Sequence, residues 1–151
     1  VKLKLNINQL KNIKIINNSV FNFDFKEGKI NYDNSLIKIN KFGKIKFTES
    51  DLSLNNLEFI STGKLIFKID NPENFYKHFH ISKKYRKKLS NIKFNYEYNI
   101  FRNEIKINKF FINDKEVNVE TQDLIDRLNS TKKISNPIKF RNIVKDILIS
   151  L

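Results

Sequence analysis

Along most of the chain an apolar residue falls at every second position, with Lys, Asn, Asp and Glu between. That period marks strands with one buried and one wet face. Leu3, Leu5 and Ile7 begin it. Phe21, Phe23 and Phe25 continue it, then Ile30 and Tyr32, Ile37 and Ile39, and Ile45 and Phe47. Leu52 and Leu54, Leu57 and Phe59, and Leu65, Phe67 and Ile69 follow. After an interruption the pattern resumes at Ile92, Phe94, Tyr96, Tyr98 and Ile100, and again at Ile105 and Ile107.

Register follows from the requirement that every junction keep the apolar residues on one face, since a one-residue slip would turn them to water. A two-residue turn at Glu27-Gly28, where Gly supplies positive φ, sets Phe25 against Ile30 and Phe23 against Tyr32. A turn at Asn34-Ser35 sets Tyr32 against Ile37 and Ile30 against Ile39. Turns at Glu49-Ser50 and Arg102-Asn103 would pair Phe47 with Leu52, Ile45 with Leu54, Ile100 with Ile105 and Tyr98 with Ile107. Gly43 and Gly63 fall in the remaining loops, Lys41 to Lys44 and Ser61 to Lys64. Asn55-Asn56 shifts the alternation by one, as a β-bulge or a short turn, and the bulge is the favoured choice.

Three stretches break the strand period. Asp70-Asn71-Pro72-Glu73 opens a helix, with Pro in the first turn and Asp70 or Asn71 as cap; it carries Phe75, Tyr76 and Phe79 and ends near Ile81. A second helix is expected over about Thr121 to Leu128. A third begins at Asn136-Pro137, with Phe140, Ile143, Val144, Ile147, Leu148 and Leu151 as an apolar stripe opposite Lys139, Arg141 and Lys145. The expected fold is mainly β with minor α. It is a twisted antiparallel meander over residues 1–119 forming an open, curved sheet or groove, with a helical insertion at about 71–90 and a C-terminal helical segment over 120–151.

Composition adds less than it first promises. The 151 residues carry 29 Lys and Arg against 16 Asp and Glu, a formal charge of +13. Such an excess points to nucleic acid, anionic lipid or an acidic partner. The abundant Lys, Asn, Ile and Phe also have AT-rich codons, so a genome with AT bias would produce much of the charge without selection. Absence of Cys excludes disulfides and thiolate metal sites. No run approaches the roughly 18 apolar residues of a membrane span, and no signal peptide is visible. The start on Val1 and the apolar end at Leu151 read as an excerpt from near the C-terminal end of a longer chain.

No catalytic constellation emerges. His78 and His80, the only histidines, stand two positions apart and point different ways on a helix, so they do not form an i, i+4 metal pair. Neither a nucleophile elbow nor a zinc-protease, P-loop or dinucleotide motif is present. Neither enzyme activity nor a cofactor or metal is expected. The sharpest local feature is Lys83-Lys84-Tyr85-Arg86-Lys87-Lys88, which could grip the phosphates of lipid or nucleic acid. Its plain alternative is a solvated loop of a Lys-rich protein. Aromatic and basic residues fall on opposite strand faces, whereas single-stranded nucleic acid needs them interleaved on one. Phe21, Phe23, Phe25, Ile30, Tyr32, Ile37, Ile39, Ile45, Phe47 and Phe67 therefore make either an ordinary core or an open greasy groove for acyl chains.

With those residues in view, the chain resembles the C-terminal part of AsmA-like proteins of Gram-negative bacteria. The likeness lies in Phe23-Asp24-Phe25-Lys26-Glu27-Gly28-Lys29-Ile30, in the short strands from Ile37 to Ile69, and in Asn74-Phe75-Tyr76 followed by Phe79 and Lys83-Lys84-Tyr85-Arg86-Lys87. The hairpin after Ile92 and the closing helix from Asn136 to Leu148 add to it. The resemblance implies a periplasmic, non-catalytic protein held in the inner membrane by an N-terminal segment outside this chain, with a β groove shielding phospholipid acyl chains on their way to the outer membrane. The basic cluster Lys83, Lys84, Arg86, Lys87 and Lys88 would then meet anionic headgroups or an envelope partner. Two alternatives remain: a basic module for nucleic acid, the less favoured partner, or another anionic surface, and a structural scaffold with a closed core.

Overall fold

A computed structural model of the chain describes residues 1–10, 13–131 and 137–151. Among them nine strands form one antiparallel sheet. In chain order they are β1 (Lys2–Leu10), β2 (Ile13–Lys26), β3 (Lys29–Asn31), β4 (Leu36–Ile39), β5 (Gly43–Asn55), β6 (Glu58–Ile69), β7 (Asn91–Asn99), β8 (Glu104–Ile112) and β9 (Lys115–Glu116). Helix α1 (Pro72–His78) lies between β6 and β7, and α2 (Val119–Thr131) and α3 (Pro137–Ser150) close the chain. The mainly β architecture with a helical insertion and C-terminal helices is the one that the alternation predicts. Asn136 and the side chains of Lys139 and Phe140 lie outside the described residues.

Phe25 pairs with Ile30 across the Glu27-Gly28 turn, as the face rule requires. Two other expected turns are not there, and a third is longer than expected. β3 and β4 do not pair with each other; both pair with β2 on one side and β5 on the other, end to end, as one strand interrupted at residues 32–35. Asn34-Ser35 is thus an irregularity within a strand, not a reversal. Glu49-Ser50 lies inside β5, where Thr48 opposes Lys64 and Asp51 opposes Thr62, so two residues face Gly63 alone. The third reversal, at residues 100–103, is a four-residue turn, which pairs Tyr98 with Ile105 and Tyr96 with Ile107. Asn55-Asn56 belongs to a hairpin rather than a bulge: Asn55 pairs with Glu58, and Asn56 and Leu57 form the tip. Gly63 is not in a loop but within β6, and a Cβ there would meet Ser50 Oγ at 2.2 Å.

The irregularities share one geometry. Asn18, Asn34, Glu49 and Lys109 have φ of 43°, 60°, 53° and 49°, and the residue after each is buried: Ser19, Ser35, Ser50 and Phe110. Each left-handed residue inserts one extra position and reverses the parity of the strand beyond it. The buried hydroxyls are satisfied locally. Ser50 Oγ donates to Thr48 O at 2.9 Å, and Ser35 Oγ accepts from Asn22 N at 3.0 Å. Apolar residues thus stay on one side along strands as long as β5, with thirteen residues.

Helices cover one end of that apolar side. Asn71 caps α1, its Oδ1 accepting from Asn74 N at 3.0 Å with Pro72 in the first turn. The cap aims Phe75 at the sheet, where its ring lies 5.5 Å from Phe67 and 6.1 Å from Phe42. Tyr76, Ile81, Leu89, Ile69 and Leu148 close the same cluster. A second cluster joins Ile107 and Phe110 of β8 to Ile125 and Leu128 of α2 and Ile147 of α3. Asn129 on α2 completes the backbone of β8, accepting from Ile107 N and donating to Ile107 O, both at 2.7 Å. Its amide does what a neighbouring strand's peptide would do. Because Phe75 is only 2 % exposed, Phe75→Ala is expected to cost roughly 3–5 kcal/mol in chemical denaturation, the usual range for emptying a buried phenylalanine site. A cost under about 1 kcal/mol would show that the ring does not carry the packing.

Candidate functional site

Helical cover ends near Phe67 on β6 but reaches Phe94 on β7 and Ile105 and Ile107 on β8, leaving the far halves of β5 and β6 and the outer end of β7 uncovered. There the apolar face opens into a cavity of about 570 Å³. Phe21 and Phe23 of β2 and Ile105 of β8 line it together, although the strands between them would separate them by over 20 Å on a flat sheet. Only a curled sheet lets them share one space. Small residues permit the curl: Gly63 and Ser61 sit on β6 opposite Tyr96 and Tyr98.

Phe47, Leu52, Leu65, Phe94 and Ile100 complete most of the wall, and no lining residue carries a charge. Behind this apolar surface the hydroxyls of three lining residues are turned toward one another. Tyr32 Oη lies 2.6 Å from Ser61 Oγ and 2.5 Å from Tyr96 Oη. Three hydroxyl hydrogens meet only two hydrogen bonds, so one hydrogen is left over in every possible arrangement of donors. Burial is the main force raising the Tyr32 phenol well above its ordinary value; the bond with Tyr96 adds to the rise and the bond with Ser61 opposes it. Tyr98 Oη donates to Asn103 Oδ1 at 2.7 Å and so fastens β7 to its own turn.

Of the groove residues read from the sequence, Phe21, Phe23, Tyr32 and Phe47 line the cavity. Phe25 and Ile30 pair beside it at the open end. Ile37 and Ile45 pair on the same face, whereas Ile39 and Phe67 pack into the helical cluster and belong to the sealed core. One face therefore serves as both core and groove.

The basic cluster stands apart. Lys83 and Lys84 begin a single 3-10 turn and are exposed, as are Lys87 and Lys88. Arg86 is occupied differently: its Nε donates to Ile81 O at 3.0 Å. Tyr76 Oη donates to Lys87 O at 3.0 Å and pins that peptide to the core. The Glu73 carboxyl is held below its ordinary value, mainly by its hydrogen bond from Lys77, with Arg86 and Lys83 contributing from farther away. The cluster precedes β7, whereas the outer rim of the cavity lies at the far end of that strand. The nine residues between amount to roughly 25 Å, so the structure does not bring the two features together.

The His78 ring lies tilted against Phe42 with centroids 4.9 Å apart, and burial, then Arg141 and His80, lower its pKa. A feature not anticipated lies on the outer face. Lys38 pairs directly with Lys44, and Lys44 with Lys68. Like charges directly opposite each other are unfavourable, and none of the three has an ion pair among the described residues. Its signal was present in the alternation, as Lys at outward positions of successive strands, but only the true register places them side by side. No helix among the described residues is long and apolar enough to cross a membrane.

No protein-family model, curated protein or solved structure matches the chain.

Tyr32 and Tyr76 are both raised above 10.0, chiefly by burial. A raised folded-state pKa stabilises the fold fully below the unfolded value and loses that contribution as pH climbs past it. Stability is therefore expected to fall on raising the pH through 10, and part of the tyrosinate absorbance should develop late in an alkaline titration. Tyr32→Phe should remove part of the late component. Unchanged titration in that variant would contradict the burial of Tyr32.

Proposed function

We propose that the chain is a non-catalytic, lipid-handling segment of an AsmA-like protein of the cell envelope. Its groove shields acyl chains during phospholipid transfer or outer-membrane assembly, on the periplasmic side of the inner membrane. The observation that carries this reading is the uncharged cavity of about 570 Å³ at the uncovered end of the apolar face. That size falls within the range of about 300–1,000 Å³ typical of small-molecule sites. A lining of Phe, Leu, Ile and Tyr favours hydrocarbon, and it excludes a charged headgroup from the interior because nothing there would compensate the lost hydration. The family assignment itself rests on the sequence motifs around Phe23, Phe75 and Lys83.

Native mass spectrometry of the purified protein tests the reading. Adducts with phospholipid masses are expected, and Leu52→Glu, which places a carboxylate in the cavity wall, should remove them while circular dichroism stays unchanged. A wild-type chain that never carries lipid would defeat the proposal.

A second reading, a module for an anionic surface, draws on the exposed Lys83, Lys84, Lys87 and Lys88 and on the outer lysine row. Basic side chains near an anionic membrane contribute on the order of 1 kcal/mol each. Reversing Lys83, Lys84 and Lys87 to Glu should weaken binding to anionic vesicles strongly, and high salt should have the same effect by screening. Binding indifferent to both would remove any headgroup role from the cluster. Equal competition by duplex DNA at physiological salt would favour the nucleic-acid form of this reading.

A further inference from the structure

Exposed apolar side chains are concentrated at one end of the sheet, where two hairpins project side by side. The β5–β6 tip carries Leu57, which is 86 % exposed, and the β7–β8 turn carries Phe101, which is 63 % exposed. Leu54, Phe59 and Ile100 are exposed beside them. Single exposed apolar residues need no explanation, but a contiguous group marks an interaction surface. The tips are also braced against each other. Arg102 Nε donates to Glu58 Oε1 at 2.6 Å, Asn99 Nδ2 donates to Glu58 Oε2 at 2.7 Å, and the Phe59 and Phe101 rings lie 5.6 Å apart. Ile100 N donates to Phe59 O at 3.0 Å and extends the ladder to the last turn.

Leu57 occupies a costly position. With Asn56 at φ 48° and Leu57 at φ 64°, the tip has the left-handed pair of a type I′ turn, in which Gly is the preferred second residue. Here a branched apolar residue accepts left-handed backbone and near-complete exposure together. Neither local conformation nor burial within the chain accounts for it. Ile100 gives the occupant's chemistry, because it belongs both to the exposed tip and to the cavity wall. The tip surface and the acyl-shaped interior are thus one continuous apolar surface. The local charges balance: Glu58 pairs with Arg102, and Lys26 with Glu27 at the neighbouring turn. A partner recognised by charge is not what this end is built for.

We propose that the two hairpin tips dock the molecule into the hydrocarbon boundary of a lipid bilayer, with Leu57 and Phe101 inserted and the mouth of the groove held against the membrane. The docking goes beyond shielding of acyl chains, since insertion of the tips is measurable whether or not lipid occupies the cavity. It also differs in kind from headgroup binding by Lys83 to Lys88, at the other end of the sheet. Tip insertion is apolar, so it does not require anionic lipid and is not lost on adding salt.

The chain has no Trp, so Phe101→Trp supplies a single reporter in the full chain. On adding vesicles of zwitterionic phosphatidylcholine, its emission is expected to shift to the blue and to be quenched by lipids brominated along the acyl chain. Leu57→Asp in the same background should reduce the quenching at least fivefold, and high salt should leave it unchanged. A second reporter, Leu57→Trp, guards against a local disturbance at residue 101 and should behave alike. Absence of quenching with both reporters would overturn the proposal; so would quenching that needs anionic lipid and disappears with salt. A blue shift that appears without vesicles and tracks dimerisation in sedimentation would assign the surface to a second copy of the chain instead. A protein that retains phospholipid in native mass spectrometry but shows no tip quenching keeps the groove and loses the docking surface.

Discussion

A sheet that is apolar on one side must have that side covered, and three short helices suffice for only part of it. α1, α2 and α3 seal the end marked by Ile39, Phe67, Ile69 and Ile112. Beyond them the sheet can reduce its exposed area only by curling. Gly63 and Ser61 give room for that, and the contact between Tyr32 and Tyr96 closes the curl across two intervening strands. The cavity is the space that remains when a curled sheet is neither covered by helices nor closed into a barrel. Its lack of charge follows from the same cause, since all its lining residues except Tyr32 and Ile100 occupy inward strand positions.

Much of this was legible in the alternation, and the errors were of one kind. Parity assigns faces correctly: Phe25 with Ile30 and Tyr98 with the β8 isoleucines all lie on the expected side. Parity cannot distinguish a two-residue hairpin from a bulge, because both place apolar residues five apart on the same face. Phe25 and Ile30 flank a hairpin, whereas Phe47 and Leu52 flank the Glu49-Ser50 bulge within one strand. Asn34-Ser35 and Glu49-Ser50 have turn-like composition because a left-handed residue followed by a buried serine uses the same chemistry as a turn. The deciding signal is long-range pairing, which a local pattern does not contain.

The site was legible to a similar depth. Inward aromatics such as Phe21, Phe23, Tyr32 and Phe47 could be read as groove candidates, but nothing local showed that Ile39 and Phe67 would be sealed under α1. Arg86 reads as a free cation within a basic run, yet its guanidinium serves the Ile81 carbonyl. The α1 helix was the most readable element, because the Asn71 cap, Pro72 and the aromatic spacing agree. The clasp of hydroxyls left no trace in sequence. Tyr32 and Ser61 are 29 positions apart, and Tyr32 and Tyr96 are 64 apart.

The two margins of the sheet are finished differently. At β8 the outward side is partly occupied, by β9 at Phe111 and Ile112 and by the Asn129 amide at Ile107, which imitates a strand for one residue and then ends. At β1 the peptide groups facing away from β2 have no partner among the described residues, and Leu3 and Leu5 extend the apolar face to that margin. Unpaired edges of this kind are templates for further pairing. The sheet therefore has a favoured direction of growth: Asn129 interrupts one side, while β1 offers a nine-residue open edge to an added strand. Lengthening there would extend the trough sideways and leave the helical seal in place.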